Sequence, residues 1–138
     1  MKKYLDIYRK NNFSTPFEYA EHMNIRLIYE NLGAINGYYN KMNRQKFIHI
    51  NSNIKDHEKT FTCAHELGHA LLHPSVNTSF LLNSTLLSVN KLEIEANTFA
   101  INLLISDEEL EHYKNYTIDQ LSALYGYSSD LIKLRMKK

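Results

Sequence analysis

Apolar positions recur at helical spacing in two stretches of the chain and alternate in a third. Between residues 60 and 73, Phe61, Ala64, Gly68, Leu71 and Leu72 follow one another at steps of three, four, three and one, the stripe of an amphipathic helix. Asp56 is placed to cap its start, and Pro74 disfavours helix at His73, so both ends are marked. Residues 91–104 predict a second helix, with apolar faces drawn from Leu92, Ala96, Phe99 and Leu103 and, beside them, Ile94 and Ile101. Ile25, Leu27 and Tyr29 interleave with Arg26, Ile28 and Glu30, which predicts a strand that Gly33 breaks. Residues 35–39 and 46–50 read as two more strands, with the polar stretch 40–44 as the turn between them. A small antiparallel sheet therefore precedes the helix at 60–73.

Capping residues punctuate the rest. Thr15-Pro16-Phe17-Glu18 opens a helix that runs to about Met23, with Pro at the first helical position and Glu closing a capping box. Ser106-Asp107-Glu108-Glu109 opens a helix in the same way, Thr117-Ile118-Asp119-Gln120 opens another that Gly126 stops, and Ser128 or Ser129 opens the last. Residues 75–90 mix Ser, Asn and Thr with Leu81, Leu82, Leu86 and Leu87 and read as a loop, with room for one short strand, lying over a cleft. There is no repeat and no linker. The expectation is an α+β fold in one domain, residues 1–138, with residues from about 106 onward as a C-terminal helical extension.

Composition narrows the function classes. A hydrophobic share of 43% supports a real core, and a net charge of +1 supplies no field that would draw the chain to nucleic acid or to a membrane. Cys63 is the one cysteine, so no intramolecular disulfide can form, and it reads as a small buried residue rather than a redox centre. The basic N-terminus lacks the long apolar core of a signal peptide and no run reaches membrane-spanning length. A cytoplasmic protein with neither nucleic-acid nor membrane contact is expected.

The chemistry is carried by His65-Glu66-Leu67-Gly68-His69, which matches H-E-x-x-H. On a helix, residues four apart share a face, so His65 and His69 can offer two imidazole nitrogens to one Zn²⁺ while Glu66 lies beside them as a general base. The bland alternative is an amphipathic helix with two surface histidines, but the motif sits on the kind of helix its mechanics require. Gly68 costs about 1 kcal/mol relative to Ala in a helix interior, which suggests a reason such as the close approach of a neighbouring strand. A catalytic zinc usually takes a third protein ligand. Glu93 and Glu95 are candidates. Glu93 is preferred because Glu93-x-x-Ala96-Asn97 reproduces a thermolysin-like order of ligand, small residue and amide. Asn97, one turn on, could hold a ligand histidine by its free ring nitrogen. Glu95, about 200° around the helix from Glu93, is read as solvated or bonded to a neighbour. His73 could sit outside the ligands or cap the helix end. Tyr38, Tyr39 and His49 are unranked candidates for an oxyanion donor.

The segment Thr62-Cys63-Ala64-His65-Glu66-Leu67-Gly68-His69-Ala70-Leu71-Leu72-His73, followed by Glu93-Ile94-Glu95-Ala96-Asn97-Thr98-Phe99-Ala100-Ile101-Asn102-Leu103-Leu104, resembles the ImmA/IrrE family of metallopeptidases. The resemblance covers about residues 15–105. It implies a zincin-like core and a zinc-dependent endopeptidase that cleaves a helix-turn-helix repressor, derepressing a mobile element, a prophage or stress genes. The chain departs from the pattern at Ile105-Ser106, where the family often has Met-Pro, and leaves no room for a separate sensor or DNA-binding domain. Two other functions compete. A non-catalytic antirepressor would capture a partner without cutting it, but such a binder has no need of Glu66. A DNA-binding regulator could use residues 117–135 and the basic Lys133, Arg135, Lys137 and Lys138. Against it, Ile118, Leu121, Leu124, Leu131, Ile132 and Leu134 read more simply as packing residues.

Overall fold

The structure, a computed structural model, describes residues 1–77 and 86–137. Helices α1 (Lys2–Lys10) and α2 (Pro16–His22) lead into strands β1 (Arg26–Glu30), β2 (Gly37–Met42) and β3 (Gln45–Asn51). Helices α3 (Asp56–Leu72), α4 (Leu86–Leu104), α5 (Asp107–His112), α6 (Ile118–Tyr125) and α7 (Ser129–Met136) follow. The architecture is α+β, as the patterning implies. Helix α1 has no counterpart in the sequence reading; it buries Leu5, and its Tyr4 carbonyl accepts a 2.8 Å bond from the Tyr19 hydroxyl of α2.

The sheet is mixed rather than wholly antiparallel. Its order is β1-β3-β2, with β3 parallel to β1 (Leu27 opposite Ile48) and antiparallel to β2 (Tyr39 opposite Ile48). The reason lies in the hairpin. Asn43 and Arg44 both take positive φ, 51° and 70°, which is the two-residue turn that matches strand twist. It folds β3 back beside β2, and the other edge of β3 takes β1, which runs parallel to it. Residues 40–42 therefore belong to β2 and not to the turn. Alternation then separates the faces. Tyr39, Ile48 and Ile50 are buried toward α3, while Tyr38, Phe47 and His49 lie on the opposite face.

Helix α3 starts a turn earlier than its apolar stripe indicates. Lys55 is the N-cap with no side-chain bond, and Asp56 and Glu58 lie in the first turn, where the helix dipole favours acids. Its Cys63, Ala64, Leu67, Ala70 and Leu71 join Ile48, Ile50 and Tyr39 in the main core. Helix α4 packs on α3 and serves two clusters: Phe99, Ala100 and Leu103 enter the main core, while Ile101, with Ile105 just past the helix end, meets Leu121 and Ile132. Helix α4 begins five residues before position 91. Half of the expected loop, residues 78–85 with any strand in them, lies outside the described residues.

Gly68 is where α3 and α4 touch. A Cβ there would come within 3.2 Å of the Ala96 Cα, the Ala96 carbonyl oxygen and Phe99 Cδ1. The close neighbour is thus a helix and not the strand anticipated. We expect Gly68→Ala to destabilise by about 1 kcal/mol. The helix-propensity gain of about 1 kcal/mol is outweighed by an overpacking cost of about 1–3 kcal/mol, because two of the three contacts are backbone. Chemical denaturation checks this; a variant about 1 kcal/mol more stable than wild type would show that the helices part freely.

The C-terminal helices are capped as the sequence indicates. Ser106 with Glu109 and Thr117 with Gln120 form reciprocal boxes, Ser128 caps α7, and Gly126 ends α6 at φ 77°. Gly126 also lies against His57, whose Nε2 is 2.7 Å from the Tyr125 carbonyl, so the α6–α7 turn is fastened to the start of α3. Arg135 is 6% exposed; its Nε donates to the Ile105 carbonyl at 2.8 Å and its Nη2 to Asp107 at 2.7 Å. It therefore belongs to the packing of α7 on α4 and α5. Leu124, expected to pack, is instead 47% exposed.

Candidate metal centre

One turn of α3 and one turn of α4 build the site. His65 and His69 stand one above the other on α3, ring centroids 4.9 Å apart. The close crossing at Gly68 and Ala96 brings Glu93 and Asn97, on one face of α4, over them. Glu93 spans the two rings: Oε2 lies 3.0 Å from His65 Nε2 and Oε1 lies 2.9 Å from His69 Nε2. One ligand atom from each of the three residues lies within 4.8 Å of the others.

The far sides of both rings are also bonded. Asn97 Oδ1 accepts from His65 Nδ1 at 2.7 Å, so in the neutral ring Nε2 carries the lone pair. His69 Nδ1 lies 3.2 Å from His73 Nδ1, and His73 Nε2 lies 2.8 Å from Glu95 Oε2. Glu95 is thus bonded to a neighbour, and Glu93 is the carboxylate that reaches both rings.

Electrostatics follow the geometry. Burial alone would lower the His65 pKa, but the hydrogen bond to Glu93 and the charges of Glu66 and Glu93 outweigh it and raise the pKa. Burial would raise that of Glu93, yet its bonds and charge contacts with the two histidines hold it well below the usual carboxylate range. Such a carboxylate is ionised at neutral pH. Two imidazoles oriented by hydrogen bonds on their far nitrogens, converging with one carboxylate, match the kind of donor set that catalytic Zn²⁺ sites use. The residues present fit that ion.

Glu66 is 5% exposed, with Oε2 3.9 Å from His65 Nε2. It borders a cleft of about 210 Å³ that Asn36, Gly37, Phe61 and Thr62 line together with His65 and Asn97. Cys63 is fully buried; burial and the Glu66 charge push its thiol pKa up, so it is no nucleophile. Tyr38 stacks on His49 at 4.1 Å, and His49 bonds Glu30 and Asn40 at 2.8 Å, all on the sheet face away from α3. Tyr39 points inward, its hydroxyl donating to the Pro74 carbonyl at 2.7 Å. None of the three lines the cleft. Gly37 and Thr62, which do, escaped the sequence reading. At Gly37 a Cβ would meet the His49 carbonyl oxygen and Thr62 Cγ2 at 2.5 Å, and the signal was present in a glycine opening an edge strand.

Residues 20–137 match the family model described as the IrrE N-terminal-like domain, a peptidase family. The chain is 45% identical over 130 residues to an uncharacterized immunity region protein 2 of Bacillus phage phi105, covering 92% of this chain and 82% of that one. It is 29% identical over 133 residues to the metallopeptidase ImmA of Bacillus subtilis (strain 168), covering 92% and 78%. Among solved structures, a transcriptional regulator of Mycobacterium tuberculosis superposes with a TM-score of 0.61 at 16% identity. That match covers 97% of this chain and 54% of that one, so this chain spans about half its length, and the likeness is one of fold.

Proposed function

We propose a function from this premise: the chain belongs to the IrrE N-terminal-like family of peptidases. Within that metallopeptidase family we assign it the activity of a zinc-dependent endopeptidase, with a folded partner protein inside the cell as substrate. The observation that carries this reading is the convergence of His65 Nε2 and His69 Nε2 on the two Glu93 oxygens, at 3.0 and 2.9 Å, beside the buried Glu66.

In this reading His65, His69 and Glu93 hold the ion, which supplies Lewis acidity toward water and the scissile carbonyl when bound. Asn97 keeps the His65 ring turned so that Nε2 faces the ion site. Glu66 takes the proton from the attacking water and hands it to the leaving amine. Strand β2 is the sheet edge beside the cleft, and an edge of this kind aligns an extended polypeptide by strand addition. Its far end is anchored by Asn77, whose side chain accepts from the Lys41 amide at 2.9 Å.

The substrate we favour is a helix-turn-helix repressor. Similarity to an immunity region protein and to ImmA supports a regulatory target. The DNA-binding alternative loses support because Arg135 is buried in bonds to Ile105 and Asp107, while Ile118, Leu131 and Leu134 pack on the second cluster. No helix among the described residues is long and apolar enough to cross a membrane.

Co-expression with a helix-turn-helix repressor from the same genetic element should give one or two discrete fragments, and a chelator should prevent them. Rapid degradation of casein with the repressor left intact would contradict a dedicated substrate.

A further inference from the structure

Beyond the five residues already given roles, His73 and Glu95 stand out, since a chain of contacts runs from His69 through His73 to Glu95. It joins the last turn of α3 to α4, on the side of the rings away from Glu93. His69 Nδ1 to His73 Nδ1 is 3.2 Å, and His73 Nε2 to Glu95 Oε2 is 2.8 Å. The side chain of His73 is 9% exposed and that of Glu95 37%.

Counting protons along this chain gives one arrangement for neutral rings. An ionised carboxylate only accepts, so the contact with Glu95 requires the proton of His73 on Nε2. His73 Nδ1 is then a bare nitrogen that can only accept. The contact at 3.2 Å therefore requires the proton of His69 on Nδ1, which leaves the His69 Nε2 lone pair on the side where Glu93 sits. Without Glu95, either proton placement on His73 is open. The one with a proton on His73 Nδ1 forces the His69 proton onto Nε2, where it pairs with Glu93 Oε1 and removes the lone pair that a metal needs.

We infer that Glu95, acting through His73, is a positioning residue that sets the proton placement of His69 and so makes its Nε2 a metal donor. The two histidines are thus oriented by unlike devices: His65 directly by the Asn97 amide, His69 by a carboxylate one ring removed. This rests on the reading of His65, His69 and Glu93 as metal ligands, but its failure can be told apart from failure of that reading.

The test uses Glu95, which is partly exposed and so tolerant of change. Zn²⁺ affinity is measured by competition with a chromophoric chelator for wild type, Glu95→Gln and Glu95→Met. Gln still offers an oxygen to His73 Nε2 and should bind zinc within about threefold of wild type. Met matches the volume but cannot accept and should bind about tenfold more weakly, the lower end of the range for loss of an outer hydrogen-bond partner. Nitrogen NMR of the zinc-loaded, histidine-labelled wild type should show His73 protonated on Nε2 and bare on Nδ1. Wild-type affinity in Glu95→Met, or a proton on His73 Nδ1 in the loaded protein, overturns the positioning role while leaving the metal site standing. A wild-type protein that binds no zinc overturns both.

Discussion

Glu66→Gln will fold and take up metal as the wild type does, and will cut its substrate at least about 10²- to 10⁴-fold more slowly, the span that general acid–base groups contribute. Gln matches the shape of Glu, so a side chain that is 5% exposed can be replaced without a cavity. What is lost is the ability to take a proton from water and return it to the leaving amine. Cleavage rate and metal content are measured on the same preparation. A metal-loaded Glu66→Gln protein that cuts at the wild-type rate would remove Glu66 from the chemistry and reopen the reading of a partner-capturing module.

The second large effect is expected at Glu93. Its carboxylate reaches both rings, at 3.0 Å and 2.9 Å. Glu93→Ala should weaken zinc binding by more than about 100-fold, beyond the range of an outer-partner change. Binding to the folded state raises stability by RT ln(1 + [L]/Kd), about 2.7 kcal/mol when the ligand is at 100 times Kd. Added zinc should therefore raise the Tm of the wild type clearly and that of Glu93→Ala little. The comparison with Glu95→Met is the control, since that change is expected to cost only about tenfold. Glu95 variants that lose zinc while Glu93→Ala keeps it would exchange the roles assigned to the two carboxylates.

Much of this was legible because helices carry local information. The i, i+4 spacing that puts His65 and His69 on one face is a property of a single element, and so is the one-turn step from Glu93 to Asn97. The capping boxes at Ser106 and Thr117 and the stop at Gly126 are likewise written in four or five consecutive residues. The sheet was less legible. Whether the sheet is mixed depends on whether β1 pairs with β3 or with β2, and no local pattern in residues 25–51 reports that. The turn at Asn43-Arg44 was read as too long because Asn40 and Lys41 look like turn residues, yet they lie in β2, where Lys41 is exposed. Helix α3 begins before its apolar stripe because its first turn is stabilised by acids and not by burial. Tyr38 and His49 were candidates by proximity in sequence; strand alternation places them on the far face. The bond between His73 and Glu95 joins residues 22 apart and appears only when the two helices are packed.

The most direct test of the account is an anomalous-scattering measurement at the zinc edge, on crystals of protein purified without added metal and on crystals soaked in zinc. The account requires one strong peak per chain, bounded by His65 Nε2, His69 Nε2 and the Glu93 carboxylate, with Glu66 close by but not a ligand. A peak elsewhere, or no peak at these three residues after soaking, would contradict it.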